Sequence, residues 1–255
     1  MIDALYISSS GLRSQQEQID VISNNVANMQ TPGFKRGRVN FSEVAFMPAA
    51  SEEASGTGAF HGGGSRVSST SLEFLAGALQ PTRNPLDLAI DGQGFFELED
   101  AAGNRFYSRA GQFRVDTEGY LSSVGGLRLS AGIQIPQDAT DVRISPQGEV
   151  SAKLGTDAER TVLGTLELVT FAALEGLESQ GDNLFRATDR SGLPLPSIAG
   201  EGGTGKLAQG YLEAANVDMI DEMTGLVLAQ RAYQLNARVL QASDQVLETI
   251  NNLRR

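Results

Sequence analysis

Apolar residues recur every seven positions near both ends of the chain. The N-terminal series consists of Leu5, Leu12, Ile19 and Val26. The C-terminal series consists of Met219, Leu226, Tyr233, Leu240 and Leu247. A spacing of seven keeps side chains on one side of an α-helix and is typical of helices that pack along other helices. The pattern therefore predicts a long helix at each end of the chain.

The N-terminal helix is predicted over residues 3–29, because Thr31-Pro32-Gly33 then disfavours further helix. The other core positions of its heptad are Ile2, Ser9, Gln16 and Ser23, and three of these four residues are polar. Such a seam is weak in a two-stranded coiled coil. We therefore expect this helix to need more than one neighbour.

The C-terminal helix is predicted from about Asn216 to the end of the chain. It carries a second apolar series beside the first, formed by Leu228, Leu235, Val239, Ala242, Val246 and Leu253. A helix that is apolar on two sides is usually buried on both. Since the chain has only one other predicted long helix, we expect the second side to meet other copies of the protein.

The middle of the chain has the pattern of a β domain. From Ser71 to about Asn183, short apolar runs such as Gly94–Leu98 and Leu166–Phe171 alternate with turn pairs such as Asp91-Gly92. Turn signals roughly every ten residues are typical of antiparallel sheets.

The segment between the first helix and this domain contains one possible strand, Arg38–Phe41, followed by a Gly- and Ser-rich stretch at 49–70. That composition predicts a flexible linker or long loop. The predicted fold class is α+β, with the two long terminal helices pairing as a coiled-coil-like domain. The predicted segments are an N-terminal helix at 1–30, an extended linker at 31–70, a central antiparallel all-β domain at 71–209 and a C-terminal helix at 210–255.

Composition and charge exclude several functions. The net charge of −11 argues against nucleic acid or an anionic membrane surface as a partner. The chain has no cysteine and a single histidine, His61, so thiolate metal sites and multi-histidine sites are impossible. No apolar run approaches the roughly 20 residues of a membrane span. The start at Met1–Tyr6 has no basic segment and no long apolar segment, so we expect no cleaved secretory signal.

Two local motifs are candidates for a chemical role. Gly92-Gln93-Gly94 lacks the third glycine and the following helix of a phosphate-binding loop, so a β-turn is the better interpretation. Lys35 and Arg36 lie in the one compact basic cluster, which predicts either a contact with an acidic patch on a neighbouring subunit or a plain surface cluster. Together with the nine heptad residues named above, they form the predicted assembly interface. We expect no catalytic residue, no cofactor and no metal ion.

Four stretches resemble the signatures of the bacterial flagellar rod and hook proteins. They are Asn24–Asn28 followed by Thr31–Arg36, then Pro85–Phe96, Gly210–Val217 and Gln230–Asn236. The resemblance covers essentially the whole chain and keeps the order of the family's blocks. The residues that carry it are Asn24, Asn25, Asn28, Pro32, Gly33, Phe34, Gly92, Gly94, Phe95, Phe96, Asn216, Val217, Arg231 and Ala232.

The resemblance implies a non-catalytic subunit of a hollow helical tube that crosses the periplasm, transmits torque from motor to hook and passes exported subunits. Its terminal helices would form the inner wall, and its β domain would face outward. The implied partners are further copies of the chain, the proximal rod, hook or hook–rod junction proteins, the P- and L-ring proteins, and the flagellar export apparatus. A rod paralogue and a hook-type protein are alternatives within the family. A discrete coiled-coil adaptor and a β-domain enzyme are alternatives of other classes.

Overall fold

The chain divides into two compact units, each described here by itself. A computed structural model describes residues 2–46, 61–155 and 159–253. The helical unit comprises Met1–Ala27, Gly37–Glu73 and Asp218–Arg255, and the β unit comprises Asn28–Arg36 and Phe74–Val217. Both units are therefore assembled from segments that are distant in the sequence.

The two predicted helices are present. Helix α1 covers Ile2–Ala27, and helix α2 covers Met219–Leu253. Asp218 caps α2, because its Oδ1 accepts hydrogen bonds from the backbone N–H groups of Ile220 and Asp221. This cap explains why α2 begins two or three residues after the predicted position at Asn216.

Helices α1 and α2 pack against each other in an antiparallel direction. A Cβ atom at Gly11 would lie 2.8 Å from Nδ2 of Asn236, and one at Gly225 would lie 3.4 Å from Cδ1 of Ile22. A step of eleven residues forward along α1 thus matches an equal step backward along α2. In this register Leu12 lies at about the level of Leu235 and Ile19 at about the level of Leu228. The coiled-coil geometry of the pair stays a prediction.

Part of the predicted linker is a β-hairpin. Strand β1 (Gly37–Phe46) pairs antiparallel with strand β2 (His61–Leu72), so the predicted strand at Arg38–Phe41 is confirmed and is longer than expected. The prediction of a linker is wrong for residues 61–70, because this segment pairs with β1 and Gly64 meets helix α1. Residues 47–60 of the predicted linker lie outside the described residues.

The β unit consists mainly of short antiparallel strands, as the turn pattern predicts. In chain order they are β3 (Leu79–Pro81), β4 (Leu88–Asp91), β5 (Phe95–Glu99), β6 (Arg105–Ser108), β7 (Phe113–Val115), β8 (Leu121–Ser123), β9 (Arg128–Leu129), β10 (Ala139–Ile144), β11 (Glu149–Leu154), β12 (Arg160–Thr165), β13 (Glu167–Thr170), β14 (Glu178–Gly181), β15 (Leu184–Arg186), β16 (Leu195–Ile198), β17 (Lys206–Gln209) and β18 (Tyr211–Glu213). A short 3-10 helix, Leu174–Gly176, precedes β14.

Strand β5 lies at the centre of the largest sheet. It pairs with β6, β9 and β13, and the main path through the sheet runs β14-β15-β6-β5-β9-β8-β7. Strands β10, β11 and β12 form a separate sheet, while β17 pairs with β4 and β18 pairs with β3. The last two pairings join the C-terminal end of this unit to strands that lie more than a hundred residues earlier.

The core of the β unit is apolar and contains the predicted strand residues. Phe96 and Leu98 are buried on one side of β5 and pack with Leu88, Ile90 and Leu168. Phe95, on the other side, makes edge-to-face contacts with Phe74, Phe171 and Phe185. The two terminal helices and the central antiparallel strands confirm the predicted α+β class.

Candidate assembly surface

The two long helices leave a wide apolar surface uncovered. On α2 the exposed large apolar residues are Met219, Ile220, Met223, Val227, Leu228, Tyr233, Leu235, Val239, Val246 and Ile250. On α1, Tyr6 and Ile7 are exposed as well. So many exposed large apolar residues on one helix indicate an interaction site. None of the helices among the described residues is both long and apolar enough to span a membrane.

The residues predicted for the assembly interface are only partly covered within the chain. Leu5, Leu12, Ile19 and Val26 on α1 are half-buried, as are Leu226, Leu240 and Leu247 on α2. Met219 and Tyr233 are exposed, at 42% and 38%. The contact between α1 and α2 therefore leaves part of the apolar area of both heptad series exposed. The role of these residues in assembly remains a prediction.

Three buried residues of α1 are polar, but they are not the polar heptad positions, since Ser9, Gln16 and Ser23 are all exposed. Ser8, Ser14 and Asn25 are buried on α1. The Asn25 side chain donates to the carbonyl oxygen of Gly37 and accepts from its N–H, at 2.9 and 2.8 Å. Asn25 Nδ2 also lies 3.3 Å from Oε2 of the buried Glu222. One signature asparagine thus joins the end of α1, the start of β1 and the first turn of α2.

The prediction of a surface contact is wrong for Lys35. Its side chain is buried in the β unit, where Nζ lies 2.6 Å from Oε1 of Glu213 and donates to the carbonyl oxygen of Leu75 at 2.7 Å. A buried ammonium group needs an anion and a hydrogen-bond acceptor, and both are supplied by its own chain. Arg36 is half-buried, and its backbone N–H donates to Oδ1 of Asn216 at 2.7 Å.

Glu213 is the centre of a buried ion cluster. Its second oxygen, Oε2, lies 3.3 Å from Nη1 of Arg109, while Oε1 also accepts the N–H of Gly77. Arg109 Nη2 donates to the carbonyl oxygen of Gly92 at 2.7 Å, and its guanidinium carbon lies 5.5 Å from the centre of the Phe95 ring. Two cations therefore share one carboxylate away from water.

Burial dominates the titration of both cations. Loss of hydration lowers the pKa of Lys35 from its usual 10.5, and the carboxylate of Glu213 opposes that shift only in part. Loss of hydration also lowers the pKa of Arg109, against the attraction of Glu213. The Nε of Arg109 is the one buried side-chain N or O atom without a hydrogen-bond partner in the part of the chain that the structure describes.

The ion cluster joins the signature stretches in space. Lys35 follows Pro32-Gly33-Phe34, and the Gly33 N–H donates to the carbonyl oxygen of Glu213 at 2.8 Å. The carbonyl oxygen of Pro32 accepts from Nδ2 of Asn183 at 3.0 Å. Gly94, Phe95 and Phe96 are buried, and Gly92 bonds to Arg109 as described above.

The remaining signature residues have more varied surroundings. Asn28 accepts the N–H of Thr31 through its backbone oxygen at 2.9 Å, in the turn after α1. Val217 and Ala232 are half-buried, and Asn24 and Arg231 are exposed. The signature therefore combines residues that hold the β unit together with residues on the surface of the helices.

Sequence reasoning did not select Glu213, Arg109 or Glu222 as important residues. A single glutamate in a short strand has no periodic signal, and its two cationic partners lie 178 and 104 residues away. Only Glu213 lies in one of the signature stretches, Gly210–Val217. The sequence signal was the stretch as a whole, and the role of Glu213 became visible only in three dimensions.

These features define a class of protein before any comparison. One unit leaves apolar area exposed on two long helices, and the other is held together by its own buried ion cluster. Such a combination is typical of a structural subunit that associates with other proteins. Comparison with known families gives the particular one.

Three family profiles match the chain in order. Residues 5–35 match the flagella basal body rod protein family, residues 89–152 match the flagellar hook protein FlgE/F/G D1 domain, and residues 208–253 match the flagellar basal body rod FlgEFG protein C-terminal family. The chain is also similar to flagellar basal-body rod protein FlgG of Caulobacter vibrioides, with 40% identity over 99% of this chain and 100% of that protein. The chain belongs to the flagellar rod and hook family.

Two further relatives define its position in that family. Flagellar basal-body rod protein FlgG of Bacillus subtilis is 38% identical over the full length of both chains. Flagellar hook protein FlgE of Salmonella typhimurium is 24% identical over 96% of this chain and 98% of its own, in an alignment of 408 positions. The hook protein thus carries inserted segments that this chain lacks. The family is structural, so this chain is a structural component of the flagellar basal body and not an enzyme.

Proposed function

We propose that this protein is the subunit of the distal flagellar rod and that it assembles with its own copies into a hollow helical tube. The tube transmits torque from the motor to the hook and passes exported subunits. The observation that carries this proposal is the apolar surface of α2, which a single copy leaves in water although burial of such area is strongly favourable.

Packing among copies explains the composition of the helices. Leu228 and Leu235 on α2 are 62% and 61% exposed, so α1 of the same copy leaves most of both side chains uncovered. A neighbouring helix pair of a second copy supplies the missing cover. The apolar surface that one copy leaves exposed therefore favours a wall built from many subunits over a closed pair of helices.

Assignment to the distal rod rests on length and on two stretches. The chain aligns end to end with relatives named as FlgG, and Tyr107–Phe113 and Gln230–Asn236 resemble the distal rod type. A proximal rod paralogue is the alternative within the family. The missing insertions count against a hook-type protein.

The position of the tube follows from the same proposal. The protein would leave the cytoplasm through the flagellar export apparatus without cleavage of its N-terminus and would cross the periplasm as part of the rod. Proximal rod proteins and hook or hook–rod junction proteins would contact its two ends, and the P- and L-ring proteins would surround it.

Replacement of Leu235 by aspartate tests the proposed assembly surface. In the native bacterium, Leu235→Asp should give rods that are truncated or absent, because a charge in the apolar contact costs far more than the lost side chain alone. The matched control is Leu235→Met, which keeps an apolar side chain and should leave rods intact. Electron microscopy of isolated basal bodies provides the measurement.

The purified subunit shows whether Leu235→Asp acts on assembly or on folding. Because Leu235 is 61% exposed, the variant should keep the circular dichroism spectrum and the unfolding midpoint of the unaltered chain. Full-length rods and normal hooks in the Leu235→Asp strain would contradict the proposed role of α2.

A further inference from the structure

The β unit is built from two segments of the chain, and the ends of these segments connect it to the rest of the protein. One segment runs from Asn28 to Arg36, and the other runs from Phe74 to Val217. The chain enters or leaves the unit at each of these ends. Any force that reaches the β unit along the chain therefore enters it there.

A buried carboxylate joins three of these ends. Lys35 lies beside the end of the first segment, and its Nζ is 2.6 Å from Oε1 of Glu213. Leu75 lies beside the start of the second segment, and its carbonyl oxygen accepts from the same Nζ at 2.7 Å. Glu213 itself lies just before the end at Val217. Residues that are far apart in the sequence thus share one group.

Backbone hydrogen bonds join the same segments around this carboxylate. The N–H of Gly33 in the first segment donates to the carbonyl oxygen of Glu213 at 2.8 Å. The N–H of Gly77 donates to Oε1 of Glu213, also at 2.8 Å. The N–H of Ala214 donates to the carbonyl oxygen of Ala78 at 2.9 Å. The segment ends are therefore tied by both side chain and backbone.

Arg109 attaches these ends to the main sheet. Its Nη1 lies 3.3 Å from Oε2 of Glu213, and its Nη2 donates at 2.7 Å to the carbonyl oxygen of Gly92, directly after β4. Its guanidinium group also lies over the ring of Phe95, the first residue of the central strand β5. We call the following set the Glu213 clamp: Lys35, Leu75, Gly77, Arg109 and Glu213.

The helical unit gathers its own segment ends in a similar way. Asn25, near the end of α1, bonds to both backbone groups of Gly37, where the next segment of this unit begins. Its Nδ2 also lies 3.3 Å from the buried carboxylate of Glu222, in the first turn of α2. Gly37 pairs with Leu72, near the end of the same segment. A buried polar group at the segment ends is thus a feature of each unit.

Stability alone is a weak explanation for the Glu213 clamp. Desolvation of its charges offsets most of their attraction, and apolar residues of similar volume often serve a core as well or better. What the clamp does require is position, because its hydrogen bonds form only while Lys35, Leu75 and Glu213 lie together. Its members therefore fix the segment ends relative to one another.

We propose that the Glu213 clamp makes the segment ends of the β unit act as one body, so that each copy carries torque through all of its connections together. The inference rests on the proposed function, since it requires a rotating rod. While the clamp is closed, a force on one connection is shared by the others and by the main sheet. Once it is open, the same force acts on one segment at a time, and local unfolding of that segment is the weakest step.

Lys35→Met opens the clamp and changes little else. It removes the bonds from the first segment to Leu75 and to the carboxylate of Glu213. It leaves one anion and one cation in contact, Glu213 and Arg109, and methionine keeps the apolar contacts of the lysine stem. Glu213→Gln is unsuitable, because it leaves two buried cations without an anion and endangers folding itself.

Hydrogen exchange of the purified full chain measures the opening. In Lys35→Met, the amides of Gly33 and Gly77 should exchange about tenfold faster or more, because their acceptor Glu213 is no longer held by the first segment. A tenfold change is the effect of losing one hydrogen bond to a charged group. The amide of Leu98, in the central strand β5, should keep its rate.

Arg105→Met is the matched control. It also replaces a cation of the β unit by methionine, but Arg105 forms a surface ion pair with Glu97 at 3.2 Å and its side chain is 60% exposed. Exchange at Gly33 and Gly77 should be unchanged in this variant.

Rotation under load tests the mechanical role in the native bacterium. Cells with Lys35→Met should build rods of normal length and rotate like cells with Arg105→Met in dilute medium. They should lose rotation as the viscosity rises, whereas the control should not. A variant that only folds less well would give fewer rods at every viscosity. Tethered-cell rotation and electron microscopy of basal bodies provide the two measurements.

The outcomes separate this inference from the function on which it rests. Faster exchange confined to the clamp, together with loss of rotation at high load alone, supports the proposal. Unchanged exchange at Gly33 and Gly77, or equal acceleration throughout the β unit, overturns the clamp. Opening of the clamp without a load-dependent defect overturns its mechanical role and leaves the rod assignment intact. Absence of the unaltered chain from isolated rods overturns the proposed function as well.

Discussion

At the scale of single residues, Glu213 shows how a buried charge can be retained in this protein. Its side chain is 1% exposed and faces two cations, Lys35 and Arg109. Buried ion pairs are weak contributors to stability, since desolvation offsets most of their attraction, but the loss of one partner is costly. The cluster has one anion and two cations, so its members should differ in their importance.

We predict that Glu213→Gln destabilises the chain more than Lys35→Met. The first change leaves two buried cations without an anion and should cost about 3–5 kcal/mol. The second leaves Glu213 with Arg109 and the N–H of Gly77, and methionine retains most of the apolar contacts of the lysine stem. Urea unfolding of the full chain, followed by circular dichroism, measures both. An equal loss from the two changes would contradict the shared role of Glu213.

The lowered pKa of Lys35 determines whether this site adds to or subtracts from the stability of the chain as the pH rises. Its folded-state pKa lies below 10.5, so the folded chain binds fewer protons than the unfolded chain between those two values. The contribution of Lys35 to the free energy of unfolding therefore rises with pH in the window just below 10.5. As the pH rises through that window, the unaltered chain should gain stability relative to Lys35→Met.

At the scale of elements, the glycine-rich stretch has a role that composition does not reveal. Gly64 has a φ angle of +99°, and a Cβ atom there would lie 2.2 Å from Oγ of Ser10 on α1. The neighbouring Ser65 donates its N–H to the same Ser10 Oγ, and its carbonyl oxygen accepts from Oγ of Ser14. Strand β2 thus lies directly on α1, and glycine permits the approach.

We predict that Gly64→Ala separates or distorts this contact, whereas Gly62→Ala does not. Alanine at position 64 would have both an unfavourable φ angle and a clash, and it should cost more than about 1 kcal/mol. A Cβ at Gly62 would meet its nearest atom, Oε1 of Glu43, at an ordinary 3.6 Å. Hydrogen exchange of the amides in β2 measures the effect; unchanged protection in Gly64→Ala would show that the contact adapts.

At the scale of the whole molecule, charge and apolar area act in opposite directions on assembly. Each copy carries a net charge of −11, so copies repel one another when they approach. The exposed apolar residues of α2 favour association, and their burial is not weakened by moderate salt. Assembly therefore depends on how strongly the solvent screens the repulsion.

We predict that polymer formation by the purified chain improves between about 0.01 and 0.15 M salt, as the screening length falls from roughly 30 to 8 Å. The measurement is the amount of sedimentable polymer at a fixed protein concentration. A steep decrease in polymer with added salt would show instead that ion pairs between copies dominate the interface.

The sequence alone determined the elements and the family of this protein. Heptad spacing at Leu5–Val26 and Met219–Leu247 was sufficient for the two helices, and turn pairs such as Asp91-Gly92 were sufficient for the antiparallel strands, because both signals are local. Four signature stretches identified the flagellar rod and hook family, which the relatives of similar length confirm.

Only the tertiary structure decided which residues those elements bring together. It placed Lys35 in a buried cluster instead of a surface patch, and it placed Gly64, which lies in the predicted linker, in close contact with α1. Both results depend on partners many residues away, Glu213 for Lys35 and Ser10 for Gly64. The physical reason is that burial and ion pairing depend on distance in space, which a local pattern of residue types does not contain.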